Sequence, residues 1–242
     1  MELKKNQWTT SNIEEFNKYL LTLSREKDKC VWEQKIVNTN KTCLAIPSPK
    51  LKEIVNEIFK GNFISFIDLW ILDNHSSISI IGYLICKIND FDVMKKYLDI
   101  YSSKIDNWAH CDLLKFKITK ENKNKFLELS KDYLKSKLTF QRRIGLIILF
   151  NFINDKNIDK VLKISNCLCE EKEYYVNMAN AWLLCECFIK AREKTLKFLE
   201  HNRLNLFTLN KMISKCQDSF RVSTEDKKLL KKFKNQTFTD IQ

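Results

Sequence analysis

Two prolines and three glycines are all that this 242-residue chain contains. Sheets joined by tight turns draw on both residue types, glycine for positive φ and proline for fixed φ. Their scarcity points to helices joined by short polar loops, and the chain reads as all-α. The apolar share is 44%, and 16 Phe with 5 Trp suffice for a substantial core. The longest apolar runs, IGLIILF at 144–150 and ISIIGYLIC at 78–86, are too short to span a bilayer. The opening MELKKNQWTTSNIEEF lacks the apolar heart of a signal peptide. Nine cysteines, an odd number, show no disulfide spacing. A soluble, cytoplasmic protein with reduced thiols is expected.

Amphipathic segments of ordinary helix length follow one another without a linker. Ser11 and Glu14 propose a capping box for a first helix near 12–27. The stretch CVWEQKIVNTNKTCLAIPSPK reads as a connection, after which Pro49 suits a first helical turn and Gly61 that helix's end. Further helices are expected at 62–72, 76–88, 91–104, 107–117, 120–136, 138–154, 157–170, 173–190, 192–202 and 207–219. A last one starts at Ser223 and Asp226 and ends near Phe233, and the tail 235–242 is expected to fray. One domain over 1–242 is expected: a right-handed α-solenoid of HEAT-like helical hairpins with a concave basic groove. Because no exact repeat is visible, an irregular helical bundle stays open beside it.

The formal charge is +12, and polyanions such as DNA, RNA or a membrane surface are plausible partners. Residues 190–242 hold 13 Lys and Arg against 6 Asp and Glu, so +7 of the charge lies there. Trp108 and Asp112, in DNWAHCDLL, are four apart and share a helix face. A buried indole and a capping carboxylate explain them as well as a cation site does. Beside them, Cys111 reads as packing, and His110 lacks partners at metal-ligand spacing. Trp182 sits mid-helix in EYYVNMANAWLLCECFIK, where core packing competes with function. Glu186, one turn on, reads first as a salt bridge or a solvated face. Cys167/Cys169 and Cys185/Cys187 project about 160° apart on a helix and cannot grip one metal. Arg142 and Arg143 open the apolar helix FQRRIGLIILF. Cations there oppose the macrodipole, so an acidic neighbour or a phosphate should compensate. Phosphate-binding glycine loops, H-E-x-x-H and G-x-S-x-G are absent, as is the P-C-H-R box of alkyl-accepting methyltransferases.

Taken together, NWAHCDLL, FQRRIGLIILF and YYVNMANAWLL resemble the HEAT-like-repeat DNA alkylation repair glycosylases of the AlkD type. The resemblance runs from AIPSPKLKEIVNEIF to SFRVSTEDKKLLK. The family's W-x-x-x-D falls on Trp108 and Asp112, its helix-borne arginine on Arg143, and its second tryptophan on Trp182. Of the departures, NHSSISIIGYLI lacks the acidic pair often seen ahead of this helix, and two others fall on specific positions. Cys185 occupies a position where the family often has arginine, and Ala45-Ile46 replaces the usual Gly-Val.

The resemblance implies release of N3- and N7-alkylated purines, such as 3-methyladenine and 7-methylguanine, from duplex DNA. Such a base is cationic and leaves readily, so the site must offer negative potential where positive charge sits or grows. Asp112 is implied as the catalytic carboxylate, stabilising the oxocarbenium and orienting water. Trp108 and Trp182 are implied as lesion contacts, at roughly 0.5–2 kcal/mol each. Arg143 and Arg142 are assigned to the DNA backbone. No lysine nucleophile, metal or cofactor is implied, and the expected enzyme is a monofunctional glycosylase acting as a monomer on duplex DNA, with no membrane partner. Two alternatives remain: a non-catalytic relative that recognises damaged or branched DNA, and a helical-repeat scaffold for proteins.

Overall fold

The computed structural model describes residues 1–154 and 156–234, so the tail expected to fray from Asn235 lies outside the described residues. Every regular element described is helical, and one isolated bridge, Thr42 to Asn74, is the sole β pairing among them. No described helix is long and apolar enough to cross a membrane. The helices gather into two compact units, Met1–Lys117 and a second that begins at Ile118.

The first unit holds α1 (Asn12–Thr22), α2 (Lys27–Val37), α3 (Ser48–Phe59), α4 (Phe63–Ile67), α5 (His75–Ile85), α6 (Phe91–Lys104) and α7 (Ala109–Asp112). Its centre is α5, buried at every position but Tyr83 and packed by α3, α4, α6 and α7. An edge-to-face cluster of Trp8, Phe16 and Phe66, with centroids 4.9–5.9 Å apart, closes one end of the core. Asn74 caps α5 by accepting from the Ser77 amide at 2.8 Å, in a reciprocal capping box. Gly82 is required on this helix, because a Cβ there would lie 2.5 Å from the Tyr101 hydroxyl. The space it leaves lets Tyr101 lie fully buried and donate to the His110 carbonyl at 3.3 Å.

Several boundaries differ from the sequence reading. Ser11 makes no capping bond, and Asn12 instead accepts from the Thr9 amide, so the expected box at α1 is absent. The supposed connection after Cys30 contains most of α2, whose Val31, Trp32 and Ile36 are exposed. A helix expected over 62–72 stops at Ile67, and Trp70 then adopts φ 45°. The helix expected over 107–117 is a single turn, because Leu114 and Phe116 are buried while Lys115 and Lys117 are exposed. That period-2 burial belongs to extended chain.

In the second unit follow α8 (Lys123–Leu134), α9 (Thr139–Leu149, extended by a 3-10 turn over Phe150–Phe152), α10 (Ile158–Asn166) and α11 (Tyr174–Lys190). Then come α12 (Arg192–Leu199), α13 (Leu206–Asp218) and α14 (Thr224–Leu230). Ser223 caps α14 through the Asp226 amide at 3.1 Å, as the sequence led one to expect. One row is α9, α11 and α13 in succession, with α8 packed on α9 and α14 on α13. Arg143 meets Tyr175 and Phe150 meets Trp182, both 32 residues on, so α9 and α11 run parallel. Asn177 to Thr208 repeats the relation between α11 and α13 at a separation of 31, and Glu186 reaches Arg221, just past α13, 35 residues on. A two-helix repeat of that length, stacked neighbour on neighbour, is the local geometry of a helical-hairpin solenoid.

Candidate active site

Trp108 and Asp112 keep their spacing in the first unit although their helix is one turn long. The Asp112 amide donates to the Trp108 carbonyl at 3.1 Å, placing both half-buried side chains on one face. A four-residue helix does not hold itself, since nucleation fixes several dihedrals for few bonds. Here the side chains beneath it supply the support.

Asn107, with no exposure, accepts through Oδ1 from the Ala109 amide at 3.1 Å and the His110 amide at 3.3 Å. That fixes its orientation, so Nδ2 donates to Asp106 at 2.9 Å and to His110 Nδ1 at 3.0 Å. His110 must then carry its proton on Nε2, which donates to the His75 carbonyl at 3.1 Å. Its ring stacks on His75 at 4.3 Å. Asp106 in turn accepts from the Thr39 hydroxyl at 2.6 Å. Burial works against ionising Asp106, yet the bonds from Thr39 and Asn107 outweigh it and hold the carboxyl below its usual range. Burial, reinforced by the neighbouring His75, pushes His110 down to about 3. The base of the turn is thus a neutral imidazole locked in one tautomer. Cys111 fills space beside it with no exposure. From above, the Trp108 indole N–H donates to the Ile36 carbonyl at 3.2 Å, near the end of α2. These supports, Asn107 and His110 foremost, escaped the sequence reading, although N-x-x-H was there to see.

The second unit carries the other expected site residues. Arg142 forks onto Glu171, Nε to Oε2 at 2.7 Å and Nη2 to Oε1 at 3.1 Å, and its Nη1 donates to the Ser136 carbonyl at 2.8 Å. Both side chains are nearly enclosed, at 13% and 8% exposure. Of the two partners considered for this cation at a helix start, the protein supplies the acidic one. Arg143 is buried and donates to the Tyr175 carbonyl at 2.5 Å, tying α9 to the first turn of α11. Trp182, two turns further along α11, is half-buried and lies 4.3 Å from the Phe150 ring. Glu186 pairs with Arg221 through both oxygens, so its carboxylate serves a salt bridge. The structure therefore groups the expected residues in two sets, Trp108 with Asp112 in the first unit and the arginines with Trp182 in the second.

The two departures have local explanations. Cys185 is buried against Cys216 of α13, so a packed thiol occupies the position where an arginine was expected. The bond from Cys185 and burial push the Cys216 thiol well above its ordinary range. Ala45 adopts φ 50°, the left-handed region that favours glycine, and its amide donates to Glu33 at 2.9 Å. All nine cysteines are free thiols. Among the described residues no group of three or more His, Cys, Asp or Glu is placed to hold a metal ion.

No curated protein matches this chain. The sequence model of a family described as DNA alkylation repair enzyme matches residues 17–213, a span that takes in both sets of candidate residues. With most of its length so matched, the chain belongs to the DNA alkylation repair enzyme family, of the AlkD type.

Proposed function

We propose that the protein is a monofunctional DNA glycosylase that hydrolyses the N-glycosidic bond of cationic N3- and N7-alkylated purines in duplex DNA. The observation that carries this reading is the pairing of Trp108 and Asp112 on one rigidly supported turn, in a chain of this family. An alkylated purine leaves as a neutral base, so the enzyme has little acid catalysis to perform. As the bond breaks the sugar turns cationic, and the Asp112 carboxylate stabilises that charge and aligns water for attack at the anomeric carbon. The Trp108 indole offers a π-face for the cationic nucleotide beside Asp112, and Trp182 is proposed as a lesion contact on the resemblance alone. Arg143 fixes the α9–α11 register and, with Arg142 beside it, the segment that meets the DNA backbone.

The test is release of 7-methylguanine and 3-methyladenine from N-methylated duplex DNA, with Asp112→Asn beside wild type. Wild type should release base, and the variant should lose about a hundredfold or more while still binding duplex. Equal release by both proteins removes Asp112 from the mechanism. A second reading, a relative that binds damaged or branched DNA without excision, draws on the buried thiol at Cys185. It predicts salt-dependent duplex binding with no base released, and turnover ends it.

A further inference from the structure

A cleft of about 520 Å³ opens between α8 and α10 in the second unit, away from the α9–α11 residues assigned to DNA. Its cause is the packing pattern: α8 rests on α9, and α10 on α11 and α12, so the two outer helices are held apart. Its floor is apolar, formed by Leu134, Ile164 and Leu168 with the Cys167 thiol beside them. Four lysines rim it, Lys131, Lys135, Lys160 and Lys163, and no acidic side chain lines it. Lys131 is paired with Glu128 and Lys135 approaches Asp132 at 3.9 Å, both on their own helix. Lys160 and Lys163 are exposed and have no ion-pair partner among the described residues.

We infer that this cleft binds a small amphipathic anion, a molecule with an apolar body and a single carboxylate or phosphate head. The volume suits a ligand of that size, and small-molecule sites are apolar hollows with a few polar groups that fix orientation. Sugar-phosphate backbone fits it poorly, since the floor offers methyl groups and lysine stems rather than hydrogen-bond partners. An aliphatic chain lies on that floor while its head meets Lys160 and Lys163. The two head groups are chemically alike here, and separate probes distinguish them.

Decanoate, decyl phosphate, decyltrimethylammonium and inorganic phosphate are titrated against full-length protein by displacement of anilinonaphthalene sulfonate, below their micelle concentrations. Modification of Cys167 by iodoacetamide, read at the peptide level, localises the event, with the half-buried Cys30 as internal control. Either or both decyl anions should bind and slow labelling of Cys167 but not of Cys30. The cationic amphiphile and inorganic phosphate should do neither. Lys160→Glu with Lys163→Glu should weaken the anions about tenfold and leave base release unchanged. Both lysines are exposed, so the variant should fold, and its circular dichroism checks that. The inference is overturned if the cation binds equally well, if Cys167 is unprotected, or if charge reversal weakens duplex DNA and not the decyl anions. Failure here leaves the glycosylase reading intact, because base release is measured separately.

Discussion

Acid should unlock the turn that carries Trp108 and Asp112, and His110 is the group through which it acts. Its imidazole is held down to about 3 by burial and by its neighbour His75, against an ordinary value of 6.5. A histidine whose folded value is depressed binds fewer protons folded than unfolded in this window. The neutral form therefore stabilises the fold fully above about pH 6.5, and that contribution falls away as pH drops toward 3. At 1.36 kcal/mol per unit the whole window amounts to about 5 kcal/mol, of which about 3 kcal/mol is gone by roughly pH 4.5. His75, also lowered by burial, acts in the same sense. Protonation has a geometric consequence as well, since it puts an N–H on Nδ1 against the Asn107 amide that now donates to it. His110→Gln isolates the effect: the amide donates to the His75 carbonyl in place of Nε2 but does not titrate. The variant should be less stable at neutral pH by about 1–3 kcal/mol, because Asn107 loses an acceptor. Urea unfolding at pH 7.5 and 4.5, with unchanged m, should show the stability difference shifting by about 3 kcal/mol in the variant's favour on acidification, enough to erase or reverse it. A gap constant within about 1 kcal/mol refutes the assignment of the proton to His110.

Three further substitutions probe single contacts of the fold. Arg142→Met removes the cation from the Glu171 carboxylate, which is 8% exposed and keeps the Lys172 and Glu173 amides on Oε1, and should cost about 2–4 kcal/mol in urea unfolding. A loss below about 1 kcal/mol would mean that the fork is wetter than described. Ala45→Gly relieves an L-residue at φ 50° and, after the extra entropy of glycine, should raise stability by up to about 1 kcal/mol in thermal melts. A lower melting temperature would contradict it. Phe150→Ala removes the ring 4.3 Å from Trp182, and base release should fall by raised KM as the indole loosens. Unaltered KM would show that Trp182 is held by other contacts.

The scarcity of glycine and proline was a sound guide to the fold because it bears on every connection at once. Helices that bury one stripe, such as α6 and α13, were placed within a residue or so, since hydrophobic period and burial coincide there. The rule fails for α2, whose Val31, Trp32 and Ile36 are apolar but exposed, so its pattern does not mark a buried face. At the far side of Asp112 the chain LKFK alternates, and the alternation identifies extended backbone where a helix was read. Repeats escaped notice because the partners 31–35 residues apart differ in type: arginine with tyrosine carbonyl, phenylalanine with tryptophan, glutamate with arginine. Position recurs in the stack, whereas residue identity does not.

At the candidate site the same distinction separates what spacing can show from what it cannot. Trp108 and Asp112 are related by one turn, and a one-turn relation survives even when the rest of the helix is missing. The forces that keep that turn come from far along the chain: Thr39 reaches Asp106 across 67 residues, Ile36 reaches Trp108 across 72, and His75 reaches His110 across 35. No local pattern encodes such contacts. Arg142 makes the point from the other side, because its spacing marked a cation in need of a partner and only the fold chose Glu171, 29 residues away. A carboxylate meant to stabilise a developing cation must be held before the charge appears, since reorganisation at that moment weakens the effect. The buried, single-tautomer network under α7 has the rigidity this requires. Protonation of the His110 ring in the folded protein, which sets in only toward pH 3, should therefore lower base release there.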